Sequence, residues 1–188
     1  MLAFAAVCTA EQCLRSDLNW QDAPLSFYLI GPGGHWVQAV YFLLSAALVL
    51  LGAGFYGALQ REARSAAPLL LFTCAAIALS VTALAHTNVP QHAPTLEGFV
   101  HGAAAQAAFL CVTVAMLLQS WRLRGDPRWR PYFRTAFVLA LLCFVALWVD
   151  ALWHTPPRGL AQKVVIVLIL CWLLRAAWWL RRGPPRHM

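Results

Sequence analysis

Five stretches of this chain are apolar enough and long enough to cross a bilayer, at residues 37–59, 68–85, 99–118, 133–153 and 164–180. A hydrocarbon core demands roughly 20 apolar residues per helix. Lipid offers no partner for backbone N–H and C=O groups, so such segments satisfy them internally as helices. The predicted fold class is therefore all-α, a polytopic transmembrane helical bundle. Composition agrees: hydrophobic residues make up 61% of the chain and charged residues 11%, whereas soluble domains are about a quarter charged. At 188 residues there is room for one integral membrane domain spanning 1–188.

The net charge of +7 does not indicate a nucleic-acid partner, because the basic residues sit in short connections beside apolar spans. Arg61 and Arg64, the group Arg122 to Arg134, and the group Arg175 to Arg186 supply eleven basic residues on one side, against Arg15, Arg158 and Lys163 on the other. The positive-inside rule then makes the C-terminus cytoplasmic. The single lysine among thirteen arginines, with abundant Ala, Gly and Pro, suggests a GC-rich genome and hence a bacterial inner membrane. Trp121, Trp129, Trp178 and Trp179 are expected at the cytoplasmic interface, and Trp36 and Trp153 at the outer one. Arg175, inside the last apolar run, reads as a snorkelling anchor.

Residues 1–13 are apolar but too short to span, and lack a convincing signal-peptide pattern. They read as a shortened first helix, the outer half of a transmembrane segment, or alternatively as an interfacial or re-entrant segment. Residues 15–36 would form an outer loop, with Pro24, Gly31, Pro32, Gly33 and Gly34 excluding a regular helix. Four cysteines fall within apolar spans, where a thiol acts as a small hydrophobe. No CxxC or CxxCH is present.

Polar residues within the spans mark candidate sites. Gly98 and Gly102 form a GxxxG step expected to bring helices together, and the first three spans should meet through their glycines and alanines. Ser45, Thr73, Ser80, Thr82 and Thr113 are expected to return their hydroxyls to their own helix backbone. Asp150 is the one carboxylate within a span, and it demands a partner. His154 follows four residues later on the same helix face, while His86 and His101 end and begin neighbouring spans at the same depth. His35, His92 and Glu97 are expected in nearby loops. In one reading, Asp150 pairs with His154, Arg158 or Lys163, and His86 and His101 bond backbone carbonyls. In the other, His86, His101, Asp150 and His154 hold zinc. The first is more economical because no HExxH signature is present.

The segments Ala23 to Gly34, His86 to His92, Thr95 to His101 and Arg158 to Lys163 carry a resemblance to the prokaryotic family named domain of unknown function 998 (DUF998). It extends from about Arg15 onward. The resemblance implies a six-helix membrane architecture and places Gly98, His101, Gly159 and Leu160 at family-pattern positions, with Asn88 standing where the family often has Asp. It implies no activity. Three functions are therefore weighed: a small lipid-binding or accessory bundle, alone, as a homo-oligomer or within a larger membrane complex; a zinc-dependent membrane hydrolase using the His/Asp cluster; and a b-type haem carrier with two of His86, His101 and His154 as axial ligands. No catalytic residue is assigned.

Overall fold

The structure is a computed structural model that describes residues 1–88, 93–153 and 157–183. Among these residues there are six α-helices and no strands. They are α1 (Leu2–Leu14), α2 (Gly34–Ala58), α3 (Ala66–Leu84), α4 (Leu96–Gly125), α5 (Arg130–Leu152) and α6 (Arg158–Arg182), with a short 3₁₀ helix at Leu25–Leu29. Helices α2 to α6 are each long and apolar enough to cross a membrane, and α1 is the shorter apolar helix. Consecutive helices pack antiparallel, and α6 returns to touch α2. Phe4 meets Tyr41 at 5.2 Å between ring centroids, and Glu11 packs beside Gly33, so α1 runs antiparallel to α2 along its first turns.

The helices begin earlier than the apolar runs do, and capping explains why. Thr95 accepts the Gly98 N–H on its side chain at 3.0 Å, starting α4 at Leu96 with Glu97 in the favourable first turn. Gly33, at φ +78°, turns the chain so that α2 starts at Gly34, where a side chain would strike the Leu29 carbonyl. His35 and Glu97 are thus helical, contrary to their expected place in loops, and the irregular loop ends at Gly33 rather than at Trp36. At the other end of α4, Arg122 and Arg124 extend the helix beyond its apolar run and complement the C-terminal dipole.

Small residues let α2, α3 and α4 approach closely, as expected in lipid, where association rests on packing rather than on hydrophobic transfer. Gly52 faces Leu69 and Phe72. The GxxxG expectation is overturned: the space at Gly98 is filled by the Asn88 side chain, and among the described residues nothing lies within 4 Å of a Cβ placed at Gly102. Two of the expected interfacial tryptophans are also interior. Trp129 packs edge-on against Phe55, and Trp179 stacks on Tyr132 at 4.9 Å; both are buried. Trp121 and Trp178 are exposed, as a girdle requires. Arg175 lies over the Trp179 ring at 5.5 Å, which satisfies its charge along the helix.

Candidate functional site

The bundle has two chemically distinct ends. At one, the 59–65 and 126–129 connections carry arginines; at the other lie the first loop, the end of α3 at Ala85, His101 near the start of α4 and the start of α6. At the His101 end, the long first loop is clasped onto α6. Gly159 lacks a side chain where the Ala23 backbone passes, and the Leu160 N–H donates to the Gln21 carbonyl at 2.7 Å. Gln162 Oε1 accepts the Leu25 N–H at 2.9 Å, and Lys163 donates to the carbonyls of Ala23, at 3.0 Å, and Trp20. The Gly-Leu and polar-basic pair at the entry to α6 thus has a physical role: it seats the loop.

Beside this clasp, the candidate zinc ligands part company. His86 Nδ1 pairs with Glu97 at 2.6 Å on the surface, and the same carboxylate accepts the His86 N–H. His101 is buried and turns inward, with Nδ1 2.8 Å from the Ala85 carbonyl. A carbonyl only accepts, so Nδ1 carries the proton, and in the neutral ring Nε2 is a bare acceptor. Asp150 stands on α5, half-buried, with Arg158 the cation in its electrostatic reach. Lys163 is instead turned to the first loop's carbonyls. His154 and His92 lie outside the described residues. Among the described residues, no three His, Cys, Asp or Glu side chains gather so as to hold a metal ion. Asn88 Oδ1 accepts from Thr95 N and Oγ1 at 3.1 and 3.0 Å.

Inward from His101 lies a cavity of about 90 Å³ between α1, α2, α3, α4 and α6. Leu44, Leu48, Val112, Ile169, Leu170 and Leu173 make its deep wall, while Ser26, Tyr41, Thr82, His101 and Gln162 bring polar atoms to it. Among the described residues, none of its lining side chains is Asp, Glu, Lys or Arg. Phe4, Ile166 and Leu170 are shared with a wider groove of about 410 Å³ between α1 and α6, open beside Thr9 and Lys163. That groove exists because α1 leans on α2 and the 3₁₀ helix and has at most marginal contact with α6.

Of these lining residues, sequence reasoning singled out His101 and placed Thr82 as a backbone-bonded hydroxyl. Thr82 does donate to the Ala78 carbonyl at 2.9 Å, which leaves its oxygen free to accept from a ligand. Tyr41 and Gln162 were not considered as site residues. Their signal was available: Tyr41 is a hydroxyl in an otherwise apolar stretch, and Gln162 forms a polar pair with Lys163 just before the last apolar run.

No curated protein and no solved structure matches the chain. The family model described as "Protein of unknown function (DUF998)" matches residues 1–179, which includes α1 and reaches nearly to the end of α6. The chain therefore belongs to the DUF998 family.

Proposed function

We propose that this protein is a lipid-binding membrane bundle that admits part of an amphiphile into its interior beside His101. The observation that carries this reading is the cavity, whose apolar depth and polar rim match a chain and its head. Ligand sites share this composition: mostly apolar walls with a few convergent polar groups. The groove between α1 and α6 supplies a lateral route from the bilayer, so a chain enters without crossing water. The arginine distribution orients the protein in a bacterial inner membrane with the C-terminus in the cytoplasm and the cavity toward the outer leaflet.

A second reading, an accessory role in a larger complex or a homo-oligomer, has its support in α5. Only 17% of its apolar stretch is buried, the smallest share of the five long helices, and Leu141, Val145 and Trp148 face outward. Native mass spectrometry of the full chain released from membranes tests both readings. The expected result is a monomer carrying one lipid-sized adduct, lost when Ala108→Phe fills the cavity. A bare monomer overturns the lipid reading, and stable higher assemblies favour the second. Stoichiometric zinc, or haem absorbance, in the same sample would instead support the metal-dependent hydrolase or haem readings built on His86, His101, Asp150 and His154.

A further inference from the structure

We infer that the ligand's head is uncharged and carries a hydrogen-bond donor, as in a long-chain alcohol or acylglycerol, and that His101 Nε2 accepts from it. This rests on the lipid-binding reading above and names the class of lipid. Three observations support it. First, His101 is only 4% exposed, and with Nδ1 committed to Ala85 its remaining nitrogen has no protein partner among the described residues. His101 lines the cavity, and an acceptor without a protein partner beside an enclosed space takes its donor from what occupies that space. Second, Tyr41 is 5% exposed, lines the same cavity, and its hydroxyl likewise takes no protein partner among the described residues. Gln162 has spent its carbonyl oxygen on Leu25 and retains its amide hydrogens. The rim thus presents one obligate acceptor, a hydroxyl that both donates and accepts, and an amide donor, which together suit a hydroxyl head.

Third, among the described residues the lining holds no Lys or Arg to neutralise a phosphate or carboxylate. Carrying either into an apolar interior unpaired is prohibitive. Lys163, the cation of the adjoining groove, is engaged with the carbonyls of Trp20 and Ala23. Size sharpens the assignment. A space of about 90 Å³ holds a head and its first few carbons, and the remaining chain passes Phe4 and Ile166 into the groove.

The test is photolabelling of the purified full chain with three ten-carbon probes carrying a diazirine near the head: decanol, decanoate and the headless decane. Peptides from α4 around Ala105 and from α6 around Ile166 report occupancy. The decanol probe should label them at least tenfold more than decanoate and be displaced by unlabelled decanol. Tyr41→Phe keeps the ring against Phe4 and should weaken decanol labelling about fivefold, one neutral hydrogen bond; His101→Leu should do the same while leaving decane labelling intact. Equal or stronger labelling by decanoate overturns the neutral-head inference while leaving the lipid-binding reading standing. Decanol labelling unchanged in His101→Leu removes His101 from it. Absence of labelling by all three probes, with the protein folded, means that water alone fills the space, and both the inference and the lipid-binding reading fail.

Discussion

The two ends of this bundle treat buried polar atoms in opposite ways. At the arginine end, Asp126 is fully buried and its carboxylate is enclosed by donors. Oδ1 accepts the Arg128 N–H at 3.0 Å and Nε at 3.2 Å; Oδ2 accepts the Gln60 N–H at 2.9 Å and Arg128 Nη2 at 3.0 Å. The same Nη2 reaches the Ala58 carbonyl at 3.0 Å, so one ion pair ties the connection after α2 to the connection after α4. At the His101 end, the corresponding polar atoms surround a space. Among the described residues, sealed and unpaired groups occur at both ends, Gln119 Nε2 and Trp129 Nε1 at the first and the Tyr28 hydroxyl at the second; what sets the second end apart is that His101 and Tyr41 border a cavity. One end is organised around a charge, the other around a vacancy in the packing. The first arrangement serves stability and the second leaves room for a ligand.

Removing the charge is the strongest way to break this contrast. Asp126→Ala leaves two backbone N–H groups and a guanidinium without their acceptor, and the expected loss of stability is about 3 kcal/mol. Thermal unfolding in detergent reads it; an unchanged midpoint would mean that the two connections are held by packing alone. The pH dependence gives a second readout. Burial pushes the Asp126 carboxyl up, but hydrogen bonds from Arg128 and the Gln60 backbone outweigh it and hold it below its ordinary value of 3.8. The folded chain therefore binds this proton less readily than the unfolded chain. Its contribution is complete at neutral pH and is lost as pH falls below that ordinary value through the folded one. Asp126→Asn should flatten this acid limb.

How much of this was legible in the sequence depends on which physical rule was in force. The spans follow from backbone satisfaction in lipid, and the five long helices contain the predicted runs to within a residue at their ends. The hydroxyl expectations held residue by residue: Ser45, Thr73, Ser80, Thr82 and Thr113 each bond a carbonyl of their own helix at 2.8–3.0 Å. These are local consequences of helical geometry. Depth along the bundle does not by itself give convergence. His86, His101 and Asp150 were placed near one level, but which way each points is set by helix rotation and by the chain's exit from the helix. His86 turned out to Glu97 and His101 turned in to Ala85. Asp126 was overlooked because it lies just beyond the apolar run in an arginine-rich stretch, where a carboxylate reads as solvated.

Glycines provide a subtler contrast within the His101 end, since Gly159 and Gly102 meet opposite surroundings. A Cβ at Gly159 would lie against the Ala23 and Asp22 backbone, which has no flexible end to move aside. Gly159→Ala should cost about 2 kcal/mol by overpacking and loosen the first loop from α6. Gly102 has open space, so Gly102→Ala should be neutral or stabilise the helix by about 0.5 kcal/mol through propensity alone. Unfolding midpoints of the two variants, with hydrogen exchange at Leu160 for the first, measure the difference. A destabilising Gly102→Ala would restore the GxxxG seam as a packing device.

The smallest effect is expected at His86 and Glu97, whose side chains are 72% and 52% exposed. Exposed pairs gain little because water and salt screen them and ordering the side chains costs entropy. Glu97→Gln should leave the unfolding midpoint unchanged and keep an acceptor for the His86 N–H. The variant is informative because the zinc reading makes a different demand. A carboxylate on a ligating imidazole orients it and raises its basicity, and losing such a partner typically weakens metal binding 10- to 100-fold. If zinc copurifies with the parent chain and falls away in Glu97→Gln, the surface pair is a ligand support and this end of the bundle is a metal centre. If metal content is indifferent to the substitution, the pair is a surface contact, and His101 is left as the chemically distinctive imidazole facing the cavity.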